Sequence, residues 1–232
     1  MKAIFPGIPN TTGGATDLVR IPARFLAEIA DDSDRIPRLY FARNPVLRRM
    51  FWERLHVLSR MLNRHIQQNE TCIDFGGGSG VLLPTLAAKF AKLTLVDLET
   101  EQATLVRDRY GLKNVIIKKG DIAQVDLGSD CFDAAIAADV LEHFQDLEIP
   151  VKALRQWLKR GGLLFTSLPT ENSLYTGLRK VFGIEKPWDH YHAAFEVEDF
   201  LASNGFERVA TKRVPWSIPL VPLFLVTTWR KS

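Results

Sequence analysis

From residue 71 onward, short runs rich in β-branched and other apolar residues alternate with stretches whose apolar positions recur at helical spacing. The runs TCIDF, KLTLVD, NVIIK, FDAAIAA, GLLFTSL, FERVATKR and LFLVTTW read as seven strands. The stretches near 80–90, 100–109, 146–159 and 196–204 read as helices, each stopping close to a glycine or a basic residue. This alternation predicts a mostly parallel sheet covered by helices. The linker VPWSIPLVP is too short and proline-rich for a crossover helix, so the last two strands should pair antiparallel.

Ahead of residue 66 the pattern is helical. Asn44 and Pro45 suit an N-cap and a first helical position, and Leu47, Phe51, Leu55, Leu58 and Leu62 then recur on one face. Arg48, Arg49, Arg60 and Arg64 fall largely off that stripe, as a solvated face or as a surface turned to an anionic substrate or lipid. Residues 6–16 read as a flexible arm. The division expected is an arm and helical cap over 1–66 and a core over 67–232, within one compact domain overall, since 232 residues suffice for one full core.

Composition changes this picture little. Hydrophobic residues at 46% and charged residues at 25% are globular proportions, and no run reaches the eighteen or more apolar residues of a membrane span. The N-terminal MKAIFPGIPNTTGG has no apolar signal-peptide region, so a cytoplasmic location is expected. Cys72 and Cys131 sit in runs read as strands, without metal-ligand spacing, and are expected to be buried free thiols. A net charge of +3 is too small to indicate nucleic acid, though it permits attraction to anionic surfaces.

The segment TCIDFGGGSGVLLPTLA runs from a strand through a glycine-rich turn into a helix. Gly76, Gly78 and Gly80 remove Cβ atoms where the backbone bends, and the helix start offers free N–H groups to a ligand. Such a turn is weak evidence alone. Nineteen residues past Gly78, the second strand ends in Asp97, suited to accept hydrogen bonds from ribose hydroxyls. Asp121, just after the third strand in KKGDIAQVDL, could take the exocyclic amine of an adenine. Each acid alone could equally be a helix cap or a turn residue; their order relative to the glycines points to one nucleoside.

Those residues, followed by FDAAIAADVLEHF and LKRGGLLFTSLPTENSLY, resemble the class I S-adenosylmethionine (SAM)-dependent methyltransferase superfamily, particularly its small-molecule and quinone-type group. Asp74, Gly76, Gly78 and Gly80 match the family's acid-x-Gly-x-Gly-x-Gly, Asp97 its second-strand acid, Asp121 its Gly-Asp after strand three, and Ala138 to His143 its fourth-strand motif. The similarity covers residues 70–212. It implies SAM as cofactor, with S-adenosylhomocysteine as product, lined by Asp74, Gly76, Gly77, Gly78, Gly80, Asp97, Leu98, Asp121, Ile122 and Ala138. It also implies an α/β, doubly wound, Rossmann-like sheet of seven strands in the order 3-2-1-4-5-7-6, with strand 7 antiparallel; the N-terminal helical cap read above lies outside the motif region. A nicotinamide-dependent dehydrogenase is the nearest rival, but its third small residue would fall at Val81, too large for the packing that fingerprint needs. A P-loop nucleotidase would need Gly-Lys-Ser or Gly-Lys-Thr after the glycines, which are not there.

Methyl transfer from a sulfonium is an in-line displacement, so positioning in a dry pocket should supply most of the acceleration. A hydroxyl acceptor gains from a general base, for which His143 in DVLEHF is the candidate; the alternative is that His143 orients the next helix. In PWDHYHAAFEVEDF, the resemblance places Trp188, His190, Tyr191 and His192 at the acceptor, against a cap-and-packing role. Asp189, His190 and His192 make a poor metal set without a fourth ligand, so no metal is expected. The expected function is therefore methyl transfer to an O or N of a small-molecule or lipid-like acceptor; the alternative is a catalytically silent SAM-binding regulatory or partner subunit. A nucleic-acid substrate is not expected, because AADV replaces an Asn-Pro-Pro-Tyr-type motif at strand four. Peripheral membrane contact is a further expectation, from the arginine-bearing helix and from Trp216, Ile218 and Leu220 in the linker Val214 to Pro222; the alternative is that these side chains complete the core.

Overall fold

The computed structural model describes residues 18–30, 38–67, 70–122, 124–181, 189–215 and 222–232. Its centre is a seven-stranded sheet in the order β3-β2-β1-β4-β5-β7-β6, built from β1 (Thr71–Phe75), β2 (Lys92–Asp97), β3 (Val115–Lys119), β4 (Phe132–Ala138), β5 (Leu158–Pro169), β6 (Phe206–Val214) and β7 (Phe224–Lys231). β1 pairs in parallel with both β2 and β4, and β4 in parallel with β5, whereas β7 is antiparallel to both β5 and β6. The order and the antiparallel last pair agree with the sequence reading.

The central strands β1, β2 and β4 are buried on both faces, as crossover helices require of a parallel sheet, while the edge strands β3 and β6 are largely open. One face carries α2 (Pro45–His65), α3 (Leu83–Lys89) and α4 (Glu101–Tyr110), whose Leu55, Leu58, Leu62, Leu86 and Val106 pack with strand residues such as Leu95, Ile136 and Phe165. The short α1 (Ala23–Ile29) joins this cluster through Phe25, Leu26 and Ile29. The opposite face carries α5 (Glu148–Trp157) and α7 (Ala194–Ser203), where Val151, Leu154, Val197 and Leu201 meet Ile73, Phe75, Ala135 and Trp229. The helical segment ahead of the core thus lies flat on the sheet through the predicted stripe of Leu55, Leu58 and Leu62, with Arg49, Arg60 and Arg64 exposed.

Element boundaries depart from the sequence reading in a few places. A helix near 146–159 is shortened because β5 begins directly at Leu158, whose extended backbone follows Trp157 without a loop. The pairing of β4 with β5 slips between Phe132 and Ala134, where Gly161 takes a positive φ of 75°. α6 (Ser173–Val181) follows β5 and has no counterpart among the expected helices. Cys131 is a correction: it lies one residue before β4, exposed, because the apolar run enters the sheet only at Phe132, whereas Cys72 is a buried free thiol as expected. The arm at 6–16 and the linker side chains Trp216, Ile218 and Leu220 lie outside the described residues. Among the described residues, no helix is long and apolar enough to cross a membrane.

Candidate functional site

The parallel strands β1 to β5 all end at one edge of the sheet, and the loops leaving that edge carry the chemistry, as open α/β sheets dictate. Between β1 and α3 the chain turns through Gly76, Gly78 and Gly80, with φ of 66°, 51° and 72°. Two of the glycines are required by close approach. A Cβ on Gly76 would come within 2.2 Å of Val140 Cγ2, and one on Gly77 within 2.6 Å of Asp74 Oδ2. At Gly78 a Cβ would meet nothing within 4 Å, so the loop faces open space there.

Asp74 lies beneath this loop, 2% exposed, with Oδ2 lacking a hydrogen-bond partner among the described residues. Burial, with a smaller contribution from the Asp97 charge, pushes its pKa from the ordinary 3.8 up to about 7. Asp97 closes β2, and its carboxylate accepts from Gly78 N–H at 2.8 Å and from Glu99 N–H at 3.1 Å. Leu98 beside it is 54% exposed. After β3, Gly120 N–H donates to the Asp97 carbonyl at 2.9 Å, which draws Asp121 and Ile122 toward the end of β2; Asp121 is exposed and Ile122 buried. Ala138 ends β4, half-buried. An orphaned buried carboxylate, a glycine cradle and an acid at the second strand end fit a cationic, ribose-bearing cofactor.

On the other side of β4 the chain makes a turn at Asp139, with φ of 54°, and a single 3-10 turn over Leu141–His143. Glu142 is 1% exposed, and neither carboxylate oxygen has a hydrogen-bond partner among the described residues. Burial and the Asp139 charge hold its pKa well above the ordinary carboxylate value. Burial lowers the His143 pKa, opposed by Asp189, whose Oδ2 lies 3.0 Å from His143 Nδ1 but off the direction of a well-formed hydrogen bond. The His190 ring meets the His143 ring edge-on, with centroids 4.7 Å apart, and its Nδ1 lies 2.9 Å from Glu171 Oε1. Tyr191 N–H donates to the Glu142 carbonyl at 2.9 Å and pins this segment to the turn.

The histidine segment therefore divides. His190 joins His143, whereas His192 contacts the Gln145 carbonyl at 3.3 Å and lies 3.8 Å from Glu196 Oε2, at the start of α7. The Tyr191 side chain is exposed, and Trp188 lies outside the described residues.

Sequence reasoning missed the deepest charge at this edge. Arg54 of α2, 1% exposed, donates through Nε to Asp139 Oδ2 at 2.8 Å, with Nη2 on the same oxygen and also 3.0 Å from Tyr40 Oη. Its guanidinium lies 3.7 Å from the Phe51 ring centroid and 5.1 Å from that of Phe224. Burial alone would lower the Arg54 pKa, but Asp139 and Tyr40 raise it above its usual value. Burial pushes Tyr40 up to about 12 despite the nearby cation. The signal was available: Arg54 stands three residues after Phe51 and four before Leu58, on the apolar stripe itself.

A family model described as "Methyltransferase domain" matches residues 46–211. The mitochondrial ubiquinone biosynthesis O-methyltransferase of Mus musculus is 26% identical over 148 residues, which cover 57% of this chain and 40% of that protein. The chloroplastic 2-methyl-6-phytyl-1,4-hydroquinone methyltransferase 2 of Oryza sativa subsp. japonica is 25% identical over 144 residues, covering 61% of this chain and 40% of that protein. The chain thus spans about two fifths of the length of these curated relatives. The N-methyltransferase NodS of Bradyrhizobium japonicum WM9, solved with S-adenosyl-L-homocysteine, shares the fold with a TM-score of 0.63 at 18% identity, covering 90% of this chain and 96% of that one. With the family model spanning more than half of its length, from α2 to β6, this chain belongs to the methyltransferase domain family.

Proposed function

We propose that the chain is an S-adenosylmethionine-dependent methyltransferase that transfers a methyl group to an oxygen or nitrogen of a small-molecule or lipid-like acceptor. The observation that carries this reading is the meeting, along one sheet edge, of the Asp74–Gly77 cradle, the Asp97 carboxylate and the polar group around His143. Asp97 would take the ribose hydroxyls, Leu98 and Ile122 would flank the adenine with Asp121 at its amine, and the glycine loop would line the methionine portion. Asp74, its pKa raised by burial to about 7, would ionise at low cost beside the cofactor's ammonium group. SAM, when bound, supplies an electrophilic methyl on a sulfonium.

Acceptor chemistry is assigned to the opposite side of β4. Glu142, His143 and His190 form a polar cluster at which an acceptor hydroxyl would be held and its proton removed, with His143 the first candidate to receive it. The quinone-directed names of two relatives support a phenolic or quinol hydroxyl. The exposed Arg49, Arg60 and Arg64 on α2 support peripheral contact with an anionic bilayer, where such acceptors reside. Vesicle co-sedimentation that fails at low salt would remove that last point alone.

The experiment is calorimetric titration with SAM and S-adenosylhomocysteine, followed by turnover of methyl-labelled SAM against phenolic, quinol and amine acceptors. Absence of SAM binding overturns the reading. Tight SAM binding without turnover on any acceptor class returns the silent-subunit alternative.

A further inference from the structure

The sequence expects no metal because it weighs ligands within one segment, Asp189, His190 and His192. The fold selects a different set. Glu142 and His143 come from the 3-10 turn after β4, and His190 from the segment before α7; one ligating atom from each lies within 4.8 Å of the others. Glu142 is almost wholly buried, yet both of its oxygens lack a hydrogen-bond partner among the described residues, a condition proteins rarely leave uncompensated.

Behind each imidazole stands a carboxylate. Asp189 Oδ2 lies 3.0 Å from His143 Nδ1, and Glu171 Oε1 lies 2.9 Å from His190 Nδ1, the latter pair almost entirely shielded from water. The Glu171 carboxylate hydrogen-bonded to His190 Nδ1 fixes that ring and leaves its other nitrogen free with its lone pair, which is how metal-bound histidines are oriented, while Asp189 stands within reach of His143 Nδ1 without a well-formed hydrogen bond. The Tyr191 N–H bond to the Glu142 carbonyl holds the two contributing segments in place.

We propose that Glu142, His143 and His190 bind one divalent transition-metal cation of the Zn²⁺ or Mn²⁺ class at the acceptor end of β4. Two imidazoles and one carboxylate suit these ions better than Ca²⁺ or Mg²⁺, which favour all-oxygen sets, and three protein ligands leave positions open to water or an acceptor oxygen. Ligation stands on these residues alone; a catalytic role for the ion rests on the methyltransferase reading. A cation beside an acceptor hydroxyl lowers its pKa, so its proton passes to solvent and His143 acts as a ligand instead of a base. The oxygen then forms its bond to the methyl carbon as the carbon–sulfur bond breaks, and the sulfur keeps that electron pair as a neutral thioether.

The test uses the full chain stripped with a chelator and titrated calorimetrically with MnCl₂ and with ZnCl₂. One ion per chain is expected, with Glu142→Gln and His190→Ala each weakening binding at least about a hundredfold and Glu171→Gln about tenfold. Circular dichroism melts check that the variants fold, and the near-isosteric Glu142→Gln keeps the test decisive if His190→Ala does not. No saturable binding of either ion, or binding by Glu142→Gln as tight as by the parent, overturns the proposal. SAM titration of the stripped protein separates the two ideas: SAM binding without metal binding sinks only the cation site, and metal binding without SAM binding sinks only the methyltransferase reading.

Discussion

The two sides of β4 hold the same unusual object in different settings. On the side proposed for the cofactor Asp74 is buried with one oxygen unpartnered among the described residues; on the side proposed for the acceptor Glu142 is buried with two. Burial raises the pKa of each above the ordinary carboxylate value, Asp74 to about 7. Asp74 is covered by backbone, since Gly77 lies so close that any side chain there would press on the carboxylate. Glu142 is surrounded by side chains, with His143 and His190 beside it and Asp189 and Glu171 behind them. Recognition through backbone can be written in one contiguous loop, whereas recognition through side chains needs segments that only the finished fold brings together.

That contrast can be broken from either end. The largest effect is expected on stability, at the ion pair anchoring the acceptor side. Asp139→Ala leaves the Arg54 cation buried without its partner and should cost about 3–5 kcal/mol in denaturant unfolding. Arg54→Met should cost less, because the Asp139 carboxylate it leaves behind is 27% exposed and can reach water. Equal costs would mean the cation is not sealed in.

Next comes turnover. If His143 serves only the acceptor, His143→Ala should lower it by on the order of a hundredfold while leaving SAM affinity within about twofold. A parallel loss of SAM binding would show that His143 supports the whole edge. The reciprocal variant, Asp97→Ala, should weaken SAM binding by about 1.5–3 kcal/mol, the loss of hydrogen bonds to a charged acceptor. Unchanged affinity by calorimetry would remove Asp97 from the ribose.

The smallest effect is the most specific. Asp74 has its folded pKa raised from 3.8 to about 7, so its protonated form stabilises the free protein fully below about pH 4, and that contribution is lost as pH rises through about 7. An ammonium group beside it requires the ionised form. SAM affinity should therefore rise with pH by up to about tenfold per unit below pH 7 and level off above it. Asp74→Asn should flatten that profile; an unaltered slope in the variant would place the titration elsewhere.

The strands, the antiparallel last pair and the cofactor loop were legible because each is written locally, whereas the sheet order followed only from the family resemblance. Strand periodicity, a proline-rich linker and three glycines after an acid are all readable within a few residues. The acceptor side was legible only in pieces. His143 and His190 stand out in the sequence, but that they meet depends on the return of the chain before α7 to the turn after β4. Nothing beside Glu142 in DVLEHF separates a buried carboxylate from a solvated one. His192 reads as a companion of His190 by adjacency, yet it turns to the start of α7, while Asp189 lies behind His143.

The pairing of Arg54 with Asp139 also constrains any attempt to retarget the proposed activity by exchanging parts. A natural place to graft a foreign segment is the stretch ahead of residue 67, whose described residues contribute no strand to the sheet. That graft would cut across a charge pair with a buried cation, whose halves stand 85 positions apart. A donor helix without a cation at position 54 would leave Asp139 unmatched beside Glu142, and its negative charge would then disfavour ionisation of the neighbouring carboxylate. A working chimera must therefore carry both halves of the pair from one parent, or replace both with apolar residues of similar volume.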